Sequence, residues 1–220
     1  MMTDAEFMNL QMSYLREYCE RQIWRNVRWN GAEFWQIPED IVAMEAAIRE
    51  SKADAVVEVG INAGGGLEFY STLLSQNPRG LVVGVDISPE CIEKAAKRSI
   101  AKVKLICGDS AHPATAKAVK DLVEDRQTLV ILDSDHSAAH VAKELELYAP
   151  LVSPGSYMIV FDGIIKYLVG VYAIPADAAT NNPETAIAQF LPRHPEFRRD
   201  YSKNELGMTW APGGFLRKKI

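Results

Sequence analysis

Residues 56–66 read VVEVGINAGGG, from Val56 to Gly66. A β-branched run carries one acid, Glu58, breaks at Gly60, and meets three glycines at Gly64, Gly65 and Gly66. β-branched side chains suit a strand. Clustered glycines let a strand turn sharply into a helix, with free N–H groups and room for a ligand beside them. In an open α/β sheet such a turn lies at the carboxyl ends of the strands, where ligands bind.

Downstream, the pattern repeats. GLVVGVDI (80–87), KVKLICGD (102–109), TLVILDSD (128–135) and SYMIVFD (156–162) each predict a strand. Helices are expected between them, from Gly65 to near Gln76, from Ser88-Pro89-Glu90 to near Arg98, from Pro113 to Val123, and from Ser137 to Tyr148. Ser88 fits an N-cap and Pro89 a first helical position. Five apolar strands separated by helices imply a mostly parallel sheet covered on both faces. After Gly163 the pattern loosens through Ile164–Thr180. A helix starts at Asn181-Asn182-Pro183-Glu184 and runs to Leu191, and Pro195–Tyr201 and Met208–Arg217 read as an antiparallel pair with a turn near Asn204.

Upstream, residues 4–29 show helical spacing through Met8, Met12, Leu15, Tyr18, Cys19, Ile23 and Trp24. Trp24, Trp29, Phe34 and Trp35 crowd into a segment ending at Pro38, which opens a helix to Ser51 buried through Ile41, Met44 and Ile48. The expected fold is a Rossmann-like α/β domain with a seven-stranded sheet over residues 53–220, preceded by a helical extension or arm over residues 1–52.

Composition narrows the function. The 220 residues are 48% hydrophobic and 24% charged, enough for one sizeable core. A net charge of −5 disfavours a general nucleic-acid binder. No apolar run reaches the length of a membrane span, and the opening MMTDAEFMNLQMS has no apolar core, so no signal peptide is expected. Cys19, Cys91 and Cys107 lack metal spacing and read as reduced thiols of a cytosolic protein.

Acids recur at the strand ends: Glu58, Asp86, Asp109, the pair Asp133 and Asp135, and Asp162. Carboxylates gathered in one cleft repel, so something there is expected to use them. Two nucleotide classes compete. A dinucleotide enzyme wants G-x-G-x-x-G, whereas here Asn62 stands at the second glycine. A methyl-donor enzyme needs an acid before the first turn for the amino-acid part of S-adenosylmethionine, an acid ending the second strand for the ribose, and a polar group after the third for adenine. Glu58, Asp86 and Asp109 stand at those places. Gly60, Asn62, Gly64, Gly65, Ile87, Ser110 and Asp133 complete the expected cofactor wall.

From about Trp29 onward the chain resembles the cephalosporin-hydroxylase-like family, which includes rhamnosyl O-methyltransferases and belongs to the class I S-adenosylmethionine-dependent methyltransferases. The resemblance rests on EVGINAGGGLEFY (58–70), VVGVDI (82–87), LDSDH (132–136), ELELYAPLVSPGSYMIVFD (144–162), NNPETAIAQFL (181–191) and PGGFLRK (212–218). It implies an O-methyltransferase acting on a hydroxyl, of a sugar in a glycan, glycolipid or glycosylated natural product. An NAD-dependent oxidoreductase, or a non-catalytic protein that kept the cofactor fold, stands as the alternative.

Methyl transfer from a sulfonium is an in-line displacement, and an alcohol acceptor needs help to lose its proton. His136 is the expected base, with Asp133 or Asp135 to orient it and Asp162 at the same reaction centre. His140 is expected on a solvated or packing face, and Arg198, Arg199 and Arg217 as solvated charges. The resemblance also implies Mg²⁺ as a candidate cofactor, held by Asp133, Asp135 and Asp162. Here Phe161 precedes Asp162, and Gly163 follows it where catechol-type enzymes carry Asn. The aromatic arm, with Tyr167 and Tyr172, is a candidate sugar-stacking wall and a candidate homo-oligomer contact.

Overall fold

The computed structural model describes residues 2–220; Met1, first in the expected extension, lies outside the described residues. Helix α1 spans Asp4–Glu20 and opens on a capping box, with Thr3 and Glu6 satisfying each other's backbone N–H groups. The helix expected to reach residue 29 stops at Glu20 because Gln22 turns left-handed, with φ 53°. A 3-10 turn, Ile23–Asn26, leads into a hairpin of β1 (Arg28–Trp29) and β2 (Ala32–Glu33). Its Asn30-Gly31 turn has both φ values positive, as a tight two-residue turn requires. Helix α2, Pro38–Ser51, has the expected bounds.

The main body alternates: β3 Ala55–Val59, α3 Gly65–Leu73, β4 Leu81–Asp86, α4 Pro89–Lys97, β5 Val103–Cys107, α5 Pro113–Val123, β6 Thr128–Leu132, α6 Ala138–Tyr148 and β7 Tyr157–Val160. Short 3-10 turns carry the excursion after Gly163. Then come α7 Pro183–Phe190, β8 Phe197–Arg199 and β9 Phe215–Lys218. The seven-stranded sheet has the order β5-β4-β3-β6-β7-β9-β8. The first five are parallel, and β9 runs antiparallel to both β7 and β8.

The expected terminal strand Met208–Arg217 is shorter than the sequence pattern suggests. Pro212-Gly213-Gly214 cannot hold a regular ladder, and Thr209 Oγ1 and Trp210 N both donate to the Asp40 carboxylate at 2.6 Å instead. Asp40 is buried at the N-terminus of α2, and burial raises its pKa to about 7.

Side chains alternate across the sheet and build two cores. Val56, Val82, Leu129, Ile131 and Ile159 face one way, and Val57, Val83, Val130, Leu132 and Met158 the other. The extension joins the first core through Leu15, Tyr18, Phe34, Ile37 and Met44. Each such buried side chain contributes about 1.5–3 kcal/mol, so the extension packs on the domain as part of its fold. Strand order reverses at β3, which opens a crevice beyond the carboxyl ends of β3 and β6. Among the described residues no helix is long and apolar enough to cross a membrane.

Candidate active site

A cavity of about 1030 Å³ fills that crevice. The glycine turn forms one wall. Gly60 has φ +85°, and a Cβ there would lie 2.1 Å from the Asp133 carbonyl oxygen. A Cβ at Gly66 would lie 2.1 Å from Glu58 Oε1. The chain thus passes too close to its own neighbours for a side chain at either position, and only glycine lets the turn pack this tightly. Asn62 is held left-handed at φ 46°, with a buried Nδ2 lacking a partner among the described residues.

Glu58 is buried beneath this turn. Tyr70 donates its hydroxyl to Oε1 at 3.2 Å, and Oε2 has no partner among the described residues. Burial, reinforced by the Asp86 charge, raises its pKa to about 8. A buried, unpaired carboxylate of this kind fits a cationic ligand group. Asp86 ends β4 and fastens both sides of the crevice: Ile61 N donates to Oδ2 at 3.0 Å, and Ser88 N to Oδ1 at 2.8 Å. Ile87 beside it is 70% exposed and lines the cavity.

At the opposite wall Asp133, His136 and Asp162 meet, each offering a ligand atom within 4.8 Å of the others. His136 Nε2 lies 3.1 Å from Asp162 Oδ2. Asp162 takes a left-handed φ of 58°, a sparsely populated conformation for a non-glycine residue. Such strain collects at functional sites. Desolvation first, then the charges of Asp162 and Glu58, pushes Asp133 well above the usual carboxylate range. Gln36 Nε2 donates to Asp133 Oδ2 at 2.9 Å. Two carboxylates and an imidazole at this spacing can hold a divalent cation or position a proton acceptor.

The expected residues do not all arrive here. Asp135 lines the cavity but stands outside the three-residue group, and its Oδ1 accepts from Ser137 N at 2.7 Å. His136 takes its place among the candidate ligands. Gly64 and Gly65 are not on the cavity wall; Gly64 packs against Ala95, and a Cβ on Gly65 would meet the Glu33 carbonyl. Gly66 faces the cavity instead. Asp109 and Ser110 line the end furthest from Asp162's strand. His140, expected on a solvated or packing face, turns into this cavity and bonds Glu144. Arg199 is mostly buried, donating to Glu184 Oε1 at 3.1 Å, whereas it was expected in solvent.

Gln36 and Glu144 escape a reading by motif. Gln36 comes from the loop before α2, where no periodicity marks it. Glu144 sits at an inward helical position four residues after His140, and that spacing is the only local signal.

Residues 21–219 match the family described as Rhamnosyl O-methyltransferase/CmcI. The chain belongs to this family. It is an O-methyltransferase, which leaves the nicotinamide and non-catalytic alternatives unfavoured. A rhamnosyl O-methyltransferase of Mycobacterium tuberculosis is 29% identical over 211 residues, covering 92% of this chain and 82% of the relative. An apo structure of CmcI superposes with a TM-score of 0.66 at 18% identity, covering 89% of this chain and 77% of CmcI. A CmcI complex with Mg and SAM gives 0.62 at 17% identity, over 89% and 78%. At that identity the two structures show a shared fold, that of a Rossmann-like methyltransferase.

Proposed function

We propose that the protein transfers the methyl group of S-adenosylmethionine to a sugar hydroxyl, in a glycan, glycolipid or glycosylated natural product. The carrying observation is that one cavity joins a buried carboxylate with an unpartnered oxygen, Glu58 Oε2, to the Asp133–His136–Asp162 group. The names of the rhamnosyl O-methyltransferase relatives support a sugar acceptor.

The donor supplies an activated methyl on a sulfonium. Glu58 holds the donor's ammonium group, and Asp86 retains lone pairs for ribose hydroxyls beyond the two backbone bonds it accepts. Asp109 and Ser110 flank the purine. His136 Nε2 faces Asp162 Oδ2 at 3.1 Å, and Nδ1, the nitrogen turned away from that carboxylate, takes the acceptor's proton. Asp162 thereby fixes the ring, and Gln36 fixes Asp133. Asp133 and Asp162 fit Mg²⁺ through oxygen, the ligand type it prefers, and the ion would lower the pKa of the acceptor hydroxyl.

The helical part of the arm leaves Phe7, Met8, Leu10 and Tyr14 exposed, which supports self-association through α1. A net charge of −5 supports partners other than nucleic acid, and three free cysteines support a reducing, cytosolic setting.

Incubation with isotopically labelled S-adenosylmethionine and a panel of aryl rhamnosides, glucosides and fucosides should yield a labelled product heavier by one methylene group. Binding of S-adenosylhomocysteine without label transfer to any glycoside would remove the sugar assignment and keep the donor assignment.

A further inference from the structure

Glu144 lies on α6 with no exposed surface and no part in the reaction described above. Its Oε1 accepts from Ser110 Oγ at 2.5 Å and from Ser134 Oγ at 2.6 Å, and His140 Nε2 lies 3.2 Å from it. Its Oε2 has no partner among the described residues. A buried carboxylate is costly unless it serves several donors, and here the donors come from two separate loops.

Ser110 follows β5 and Ser134 follows β6, strands that lie on opposite sides of the β4–β3 pair. Both serines line the cavity. One buried carboxylate therefore ties the two loops that wall the purine end. It also decides what those loops offer. A serine hydroxyl has one proton and two acceptor lone pairs. With both protons committed to Glu144 in short, charge-assisted bonds, each hydroxyl presents only acceptor capacity to a ligand. His140 Nε2 lies 3.2 Å from the same oxygen, 3.1 Å from Ser110 Oγ and 3.4 Å from Ser134 Oγ, so this nitrogen is enclosed within the cluster. Asp109 next to Ser110 brings a further carboxylate to the wall. A wall made of acceptors pairs with an amino group and leaves a carbonyl oxygen unmatched.

We propose that Glu144 sets the hydrogen-bond polarity of the purine end: by holding the protons of Ser110 and Ser134, it makes the site accept a 6-amino purine and reject a 6-oxo purine. Glu144 acts as a positioning residue, through the two serines. The inference rests on the donor reading given above and goes beyond it by assigning the base selectivity to a residue outside the cavity.

Titration calorimetry of S-adenosylhomocysteine and its 6-oxo analogue S-inosylhomocysteine tests it. The wild type should prefer the amino compound by roughly tenfold or more, the scale of one well-made hydrogen bond against an unpaired group. Glu144→Gln keeps an oxygen that accepts both serine protons and should keep the preference. Glu144→Leu frees those protons and should bring the two affinities within roughly threefold. The double variant Ser110→Ala/Ser134→Ala removes the acceptor oxygens without touching Glu144 and should lose the preference too, which covers the case of a poorly folded Glu144→Leu. A purely structural Glu144 would lower Tm and leave the ratio of affinities unchanged. A wild type that binds both compounds equally, or a Glu144→Leu or double-serine variant that keeps the full preference, overturns the inference alone. Absence of any binding to S-adenosylhomocysteine overturns the donor reading and the inference together.

Discussion

His136 Nε2 lies 3.1 Å from Asp162 Oδ2, joining the loop after β6 to the end of β7. This contact gives His136 two mutually exclusive uses. With its proton on Nε2 it is an oriented base; with a metal on that nitrogen it is a ligand. The chemistry of the ion favours the first use, since Mg²⁺ prefers oxygen and Asp133 and Asp162 both offer it.

His136→Ala should therefore lower kcat by about 10²–10⁴-fold, the usual contribution of a general base, with S-adenosylhomocysteine affinity unchanged. Mn²⁺ binding followed by electron paramagnetic resonance should persist in that variant and vanish in Asp133→Asn/Asp162→Asn. A Mn²⁺ signal lost with His136 alone would make the histidine a ligand.

Glu58 predicts a pH dependence. Burial and the Asp86 charge raise its folded pKa from 4.5 to about 8, so the free protein holds a proton there at neutral pH. A cationic ligand group favours the ionised form. Donor binding should then release protons below about pH 8, and affinity should climb as pH rises toward that value. Calorimetry in buffers of different ionisation heat reads the release directly; Glu58→Gln should bind more weakly and lose the slope. The sign for stability is the reverse. An acid with a raised folded pKa stabilises the ligand-free fold below its unfolded pKa, and that contribution is lost between about pH 4.5 and 8. Asp40, raised to about 7, adds to the same trend, so the Tm of the ligand-free protein should fall across this window.

Gly60→Ala should be far worse than Gly31→Ala. Both glycines have positive φ, but a Cβ at Gly60 meets the Asp133 carbonyl at 2.1 Å, while one at Gly31 meets nothing within 4 Å. The backbone strain common to both costs about 1–3 kcal/mol, and overpacking adds about 1–3 kcal/mol at Gly60 alone. Thermal melts should show a second drop of roughly 2–12 °C for Gly60→Ala relative to Gly31→Ala. Equal melting temperatures would mean that the β3–β6 crevice yields to the added methyl.

Gln36→Leu removes the side chain that donates to Asp133, leaving a half-buried carboxylate short of a partner. The loss should cost about 1–3 kcal/mol and depress methyl transfer, with S-adenosylhomocysteine affinity kept because Glu58 and Asp86 are untouched. Gln36→Glu, which places a further carboxylate against Asp133, should be at least as damaging to turnover. Unchanged kcat/KM for the acceptor in both variants would release Gln36 from the reaction centre.

Much of the scaffold is legible residue by residue. The alternation of β-branched runs with Ser88-Pro89-Glu90 or Asn182-Pro183-Glu184 helix starts is local chemistry, and those elements form close to their expected bounds. Strand-end acids are legible for the same reason, since a parallel sheet brings all its carboxyl ends to one edge. The Asn30-Gly31 hairpin is equally local, but the helical spacing runs on to residue 29 across its first strand, and the aromatics beyond read as an arm. The terminal strand was overextended because Asp40, 169 residues from Thr209, claims the segment that the pattern gave to β9.

By itself, the sequence determined the sheet, its acid-tipped edge and the turn at Val56–Gly66, because periodicity, capping and glycine content act over a few residues. Only the tertiary structure decided which acids converge. It left Asp135 outside the Asp133–His136–Asp162 group, brought His136 to Asp162, sent Gln36 in from the arm, and tied Ser110 and Ser134 to one buried carboxylate. Those outcomes depend on side-chain direction, burial and a left-handed Asp162, which are fixed by packing between segments distant in the chain.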